Sequence, residues 1–230
     1  MKTAFWARRA HKWIALVIGV QALLWMLSGL YMTAISIDVI HGDHLAHADQ
    51  SPLDRSARLI DGAQLAQQYP DTQSITLKHL MSRPVYELHR EGGIVLIDAR
   101  TGVKVGPLDR TTAVRLATSL YLGTAQVESA TLLTTAPQEV ASRPVPMWQV
   151  RFADREGTTL YIAPDSGELL AKRHDLWRWF DFLWMFHIMD YEERSDVNNA
   201  LLRIASAIGL LFGLSGAWLL FYSFRRRNNA

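Results

Sequence analysis

Not one cysteine occurs in the 230 residues, and that absence closes several chemical routes. Disulfides, iron–sulfur clusters and covalently attached c-type haem, which needs C-x-x-C-H, are excluded. Any redox cofactor has to be held by His, Met or Tyr, or sit in a non-covalent pocket. The P-loop, G-x-G-x-x-G and G-x-S-x-G patterns are missing as well, so nucleotide binding and serine-hydrolase chemistry have no support. Strong charge of one sign is also lacking. The net charge of +2 sits mostly in cations near the two ends and implies no nucleic-acid partner.

What is present is unevenly distributed. Mean hydropathy is near zero, yet residues 13–37 (WIALVIGVQALLWMLSGLYMTAISI) carry no charge and only Gln21, Ser28, Thr33 and Ser36 as polar interruptions. A second uncharged run covers residues 204–222. Each is long enough for a bilayer span, which takes about 20 apolar residues, and each must then be a helix because lipid offers the backbone no partners. Lys2, Arg8, Arg9 and Lys12 precede the first run and Arg225, Arg226 and Arg227 follow the second, whereas Asp38, Asp43 and Asp49 follow the first. The positive-inside rule places both ends in the cytoplasm and the central domain outside, in the periplasm of a bacterial inner membrane. Ala46-His47-Ala48 has the small-x-small form of a signal cleavage site, but the apolar run exceeds a signal h-region and the site lies too far beyond it.

Between the spans the chain reads as a repeat of a helix and antiparallel strands, an α+β arrangement. The first copy has a predicted helix over 56–69 stopped by Pro70, then strands at 75–80, 84–90 and 94–99. The second has a helix over 111–122 and strands at 127–134, 146–152 and 159–163. YELHREGGIVLIDARTG in the first corresponds to WQVRFADREGTTLYIAPDSG in the second, each a strand, a tight turn, a strand and a Thr-Gly or Ser-Gly stop. The organisation expected is residues 1–40 as N-terminus and first span, 41–110 and 111–173 as the repeats, 174–199 as an aromatic interfacial helix with its linker, and 200–230 as second span and tail.

Histidines carry whatever ligand chemistry the chain has. His11 stands at the mouth of the first span, and its helical face continues through Ala15, Ile18, Ala22, Trp25 and Gly29, a strip rich in small residues. It reads either as a ligand at a close-approach face or as an interfacial residue in ordinary helix packing. His187 falls on the apolar face of HDLWRWFDFLWMFHIMD (174–190), opposite His174, Asp175, Arg178 and Asp181, where its ring nitrogen needs a partner: a metal, or a backbone carbonyl. His41, His44 and His47 recur at steps of three just past the first span, a spacing that suits a transition metal or a solvated polar loop. Ala205, Gly209, Gly213 and Ala217 form a small-residue ladder at steps of four, for packing against the first span or a second copy.

The R-x-x-H-K-W lead-in to the first span (Arg8, His11, Lys12, Trp13), Leu27-Ser28-Gly29, the two hairpins with their Gly stops, and Leu214-Ser215-Gly216 together resemble the PepSY-associated transmembrane family over nearly the whole chain. Members include inner-membrane siderophore and ferric reductases, b-haem proteins that pass electrons outward. Those reductases usually have four or more spans, whereas this chain has two. The resemblance implies two PepSY-like repeats and haem b, with His11 serving a cytoplasmic-side haem and His187 a periplasmic-side one. His44 is the choice if the 41–47 loop supplies a haem ligand or substrate contact. It further implies a haem-dependent metalloreductase or electron-transfer component acting on a periplasmic acceptor such as ferric siderophore iron. A helix rise from residue 11 to about 35 amounts to roughly 36 Å, which favours two haems over one. Two histidines then call for further ligands from a homodimer or a larger membrane complex. The rival is a non-redox PepSY-like module tethered to the lipid bilayer that binds an extracytoplasmic protein, or an accessory subunit.

Overall fold

A computed structural model describes the backbone of residues 2–48 and 58–227 and the side chains of residues 5–48 and 58–221. In chain order its helices are α1 (Lys2–Ala34), α2 (Ile37–Ile40), α3 (Gly62–Gln68), α4 (Arg110–Leu120), α5 (Asp175–Ile188) and α6 (Ala200–Arg227). Its strands are β1 (Thr72–Leu80), β2 (Arg83–Arg90), β3 (Gly93–Asp98), β4 (Val127–Leu133), β5 (Met147–Phe152), β6 (Thr159–Ile162) and β7 (Leu169–Arg173). Two compact units result, one from Met1–Ser36 with Trp179–Ala230, the other from Ile37–Arg178.

In the first unit α1 and α6 are long and apolar enough to cross a membrane, and only 11% of the most apolar window of each is buried. Leu16, Val17, Val20, Leu210, Leu211 and Leu214 are all more than half exposed. A helix in the core of a soluble domain would hide such residues, and a surface this apolar suits contact with lipid. The two helices meet along one line, where Ala7, Ile18, Ser28, Ala205 and Ser215 are buried. A Cβ added at Gly209 would lie 3.3 Å from the Trp25 ring, so that glycine lets the indole approach. The predicted ladder on α6 divides. Ala205 and Gly209 face inward, whereas Gly213 has nothing within 4 Å and Ala217 is exposed. At about 100° per residue each four-residue step turns about 40° further round the helix, which carries the later rungs off the contact.

The second unit is α+β with two antiparallel sheets, ordered β1-β2-β3 and β4-β5-β6-β7. Each first strand has a register shift near its start, between Thr72 and Ser74 in one and Val127 and Ser129 in the other. One buried cluster joins them: Ala113, Leu116, Ala117 and Leu120 of α4 pack with Leu80, Val85 and Leu96 of the first sheet and Trp148, Val150, Phe152, Leu160 and Ile162 of the second. The alternate residue Tyr161 faces the other way into a smaller cluster with Val140, Met147, Leu170 and Ala171.

Strand β1 starts at Thr72 rather than at 75, and two further elements differ from expectation. The helix predicted over 56–69 starts only at Gly62, where the Asp61 carboxylate accepts from the Ala63 N–H and caps it; residues 56 and 57 lie outside the described residues. Strand β7 has no counterpart among the predicted strands, because LLAKR lacks the alternation of a half-buried strand. The first sheet carries only a single bridge, Ile97 to Lys104, in the corresponding place. Leu160 is fully buried. Leu160→Ala is expected to destabilise the chain by about 3 kcal/mol, read as a lowered denaturation midpoint at unchanged m-value. An unchanged midpoint would show that this side chain is not part of the packed core.

Candidate functional site

The first unit positions both of its histidines with serine hydroxyls. His187 closes α5, and Ser28 Oγ of α1 lies 2.8 Å from its Nδ1. The same oxygen is 2.7 Å from the Leu24 carbonyl and 3.2 Å from that of Trp25. A hydroxyl has one proton, and carbonyls can only accept it. Ser28 therefore donates back along its own helix and accepts from His187 Nδ1–H. His11 repeats the arrangement: its Nδ1 is 2.8 Å from Ser215 Oγ of α6, which donates to the Phe212 carbonyl at 2.7 Å.

The serine contacts favour the Nδ1–H tautomer of both imidazoles, with the lone pair on Nε2. Neither Nε2 has a hydrogen-bond partner among the described residues. Aromatic planes hold the rings: Phe212 stacks on His11 at 4.7 Å and 13°, and Trp184 lies parallel to His187 at 6.1 Å and 10°. Gly216 leaves room for His11, since a Cβ there would sit 3.4 Å from its Cε1. The two Leu-Ser-Gly segments thus supply the two acceptors, although Gly29 has no neighbour within 4 Å and does not repeat the role of Gly216.

The end of α5 is anchored through its carbonyls. Gln21 donates to Phe186 at 2.9 Å, Trp25 Nε1 to His187 at 2.8 Å, and Asn199 Nδ2 to Ile188 at 2.9 Å. Gln21, Trp25 and Ser28 lie on one face of α1, so a single stripe both docks α5 and orients the ring of His187. Asn199 also accepts from Leu202 N and so caps the start of α6. Between them Asp190 organises the connector, its carboxylate accepting from the backbone N–H groups of Glu192, Glu193, Ser195 and Asp196. These bonds, those from Asp196 and Ser195 foremost, hold its pKa down at about 2. Trp25, His187, Ile188, Leu202 and Ser206 line an open, largely apolar cavity of about 360 Å³.

Because Ser28 rather than residue 35 holds His187, the two ligand positions are separated by 17 residues of α1, or about 25 Å, less than the 36 Å expected from sequence. A metal-bound imidazole characteristically gives its other N–H to an acceptor, and haem iron takes His as an axial ligand. His11 and His187 meet that donor requirement, one imidazole at each position. Of the two partners considered for the His187 ring, a metal or a backbone carbonyl, the structure shows neither at Nδ1, where Ser28 Oγ stands instead.

The loop histidines belong to the second unit. His41 and His47 are exposed, while His44 Nε2 lies 3.2 Å from Glu156 Oε2. Among the described residues, no group of three or more His, Asp or Glu side chains converges on one point to hold a metal, so His41, His44 and His47 do not form a cage. Gly42, at φ +72°, breaks the helical spacing that would have aligned them. His174, expected on the polar face of the aromatic helix, instead precedes α5 and is fully buried. Ser28, Ser215 and Gln21 escape prediction as functional side chains because polar residues inside an apolar run read as interruptions. The chain matches no protein-family model, no curated protein and no solved structure.

The depressed pKa of Asp190 fixes a sign. Its ion-dependent contribution is present above the ordinary carboxylate value of 3.8 and is lost as pH falls through that value towards about 2. Amide exchange at Ser195 and Asp196, corrected for intrinsic rates, is expected to accelerate over that interval, and to be fast already at pH 7 in Asp190→Ala. Protection unchanged by the substitution would contradict this account of the connector.

Proposed function

We propose that this chain is a two-span inner-membrane protein that binds b-type haem through His11 and His187 and passes electrons outward to a periplasmic acceptor, with ferric siderophore iron as the acceptor class. The observation that carries the reading is the matched pair of imidazoles, each held by a buried serine at Nδ1 and presenting Nε2 for ligation. Haem b would supply reversible one-electron chemistry. The protein's own part is to orient the two rings, fix their tautomer and surround them with apolar and aromatic groups such as Trp25, Trp184 and Phe212.

Several further features support the reading. The apolar exposed faces of α1 and α6 suit a bilayer, and the cation distribution favours both termini on the cytoplasmic side. Two sheets, each preceded by a helix and each with a shift at the start of its first strand, accord with PepSY-like repeats. The unit holding the two spans contains two histidines, so two six-coordinate haems need donors from elsewhere. A second copy is the simplest source. The open Gly213 and Ala217 positions leave room for close approach of another helix.

Haem content of full-length protein tests the ligands. His11→Ala and His187→Ala are each expected to lose about half of the bound haem. Ser28→Ala and Ser215→Ala are expected to weaken haem binding by about 10- to 100-fold, the usual cost of losing a supporting hydrogen bond. Full haem in both histidine variants, or a folded and colourless wild-type protein, would overturn the assignment and favour the tethered, non-redox module. For orientation, reporter fusions after residue 100 should be active only on the outer side and fusions after residue 230 only in the cytoplasm. The reverse pattern would overturn the topology.

A further inference from the structure

A second histidine site lies wholly within the α+β unit. His174 follows β7 and is fully buried. Its Nε2 is 3.1 Å from the Ile40 carbonyl, which can only accept, so Nε2 carries the proton and Nδ1 the lone pair. That Nδ1 is buried and has no hydrogen-bond partner. Glu156 Oε2 lies 3.8 Å from it, and the same carboxylate oxygen lies 3.2 Å from His44 Nε2. The two imidazole rings stand nearly perpendicular, with centroids 5.6 Å apart.

A carboxylate oxygen and an imidazole lone pair that face one another repel unless a proton or a cation stands between them, and the Glu156 side chain, 47% exposed, leaves the pair open to solvent on one side. Nearby cations are engaged elsewhere: Lys172 with Asp43, Arg178 with Glu139 and Asp175, and Arg173 over the Trp177 ring. Among the described residues, no lysine or arginine pairs with Glu156. The surrounding chain holds the group in place. Gly42, at φ +72°, lets its loop lie against the His174 ring, where a Cβ would be 3.4 Å from Cδ2. The turn bearing Glu156 is fixed by Tyr121 donating to Asp154, by Asp154 accepting from Thr158 N, and by the Glu156 carbonyl accepting from Asp175 N.

We propose that His44 Nε2, His174 Nδ1 and the Glu156 carboxylate bind a divalent transition-metal ion of the Zn²⁺ class. Two imidazoles and one carboxylate favour such an ion over Mg²⁺ or Ca²⁺, which prefer all-oxygen shells. Donors about 2.1 Å from a tetrahedral ion stand about 3.4 Å apart. The observed 3.2 and 3.8 Å bracket that edge. Among the described residues no group of three His, Asp or Glu side chains stands ready to hold a metal, so this site requires one of its side chains to move on binding. That closure falls to His44, whose side chain is 39% exposed on a surface loop, and water completes the shell. The assignment is independent of the haem reading, since it uses none of the same residues.

Full-length protein, stripped with chelator and titrated with Zn²⁺ against a chromophoric competitor, tests it. One ion per chain is expected. Glu156→Gln and His44→Ala, both at exposed positions that spare the fold, should each weaken binding by about tenfold or more, because loss of a direct ligand costs at least as much as loss of its supporting shell. The double variant His41→Ala, His47→Ala should bind as wild type. No binding by the wild type, or a loss that follows His41 and His47 instead, would overturn the proposal. Haem content read on the same samples reports separately on His11 and His187, so failure of either assignment leaves the other standing.

Discussion

The last carbonyls of a helix have no partners of their own, and in an apolar setting water does not supply them. At the end of α5 side chains supply those partners. The carbonyls of Phe186, His187 and Ile188 are taken up by Gln21, Trp25 and Asn199, two of them from a single stripe of α1. Much of the first unit depends on this. The stripe that satisfies the backbone also presents Ser28 to the ring of His187, and Asn199, having closed α5, opens α6 by capping it. Helix docking and ring orientation thus draw on one stripe of α1, with separate side chains serving the helix end and the ring.

That network also explains why an imidazole is tolerated there. A ring nitrogen placed without a partner among aromatic side chains would cost about 1 to 3 kcal/mol. At His187 the Nδ1 position is met by a hydroxyl that also contacts a backbone carbonyl, an arrangement that favours the Nδ1–H tautomer. His11 has the same solution at the other position, using Ser215 and the Phe212 carbonyl. Two unrelated stretches of sequence thus arrive at one local design, about 25 Å apart along α1. The proposed cofactor role rests on that recurrence.

Both apolar spans, the two sheets and five of the seven strands can be read closely from hydropathy and alternation alone, since Gly and Pro punctuate them clearly. β1 begins three residues before the predicted start, and β7 is hidden because it is buried at Leu170 and Ala171 yet ends in Lys172 and Arg173. Of the candidate site, His11 and His187 stand out in the sequence, because a titratable ring on an apolar face is conspicuous. Their partners are not. Ser28 and Ser215 are ordinary small residues in helices until tertiary packing places an imidazole 2.8 Å away. Glu156 and His174 are 18 positions apart in sequence, and His174 looks like part of an exposed polar face; only the folding of the turn and the strand's end brings them together. Spacing locates the rings, but the hydrogen bonds that orient them are non-local.

The central claim is the tautomer, and nitrogen-15 NMR of histidine-labelled, haem-free full-length protein at neutral pH tests it most directly. His11 and His187, assigned through their alanine variants, should each show a protonated Nδ1 and an unprotonated Nε2, and each should lose that preference when Ser215 or Ser28, respectively, is replaced by alanine. Rings protonated at Nε2 instead, or a mixture indifferent to the serines, would contradict the account.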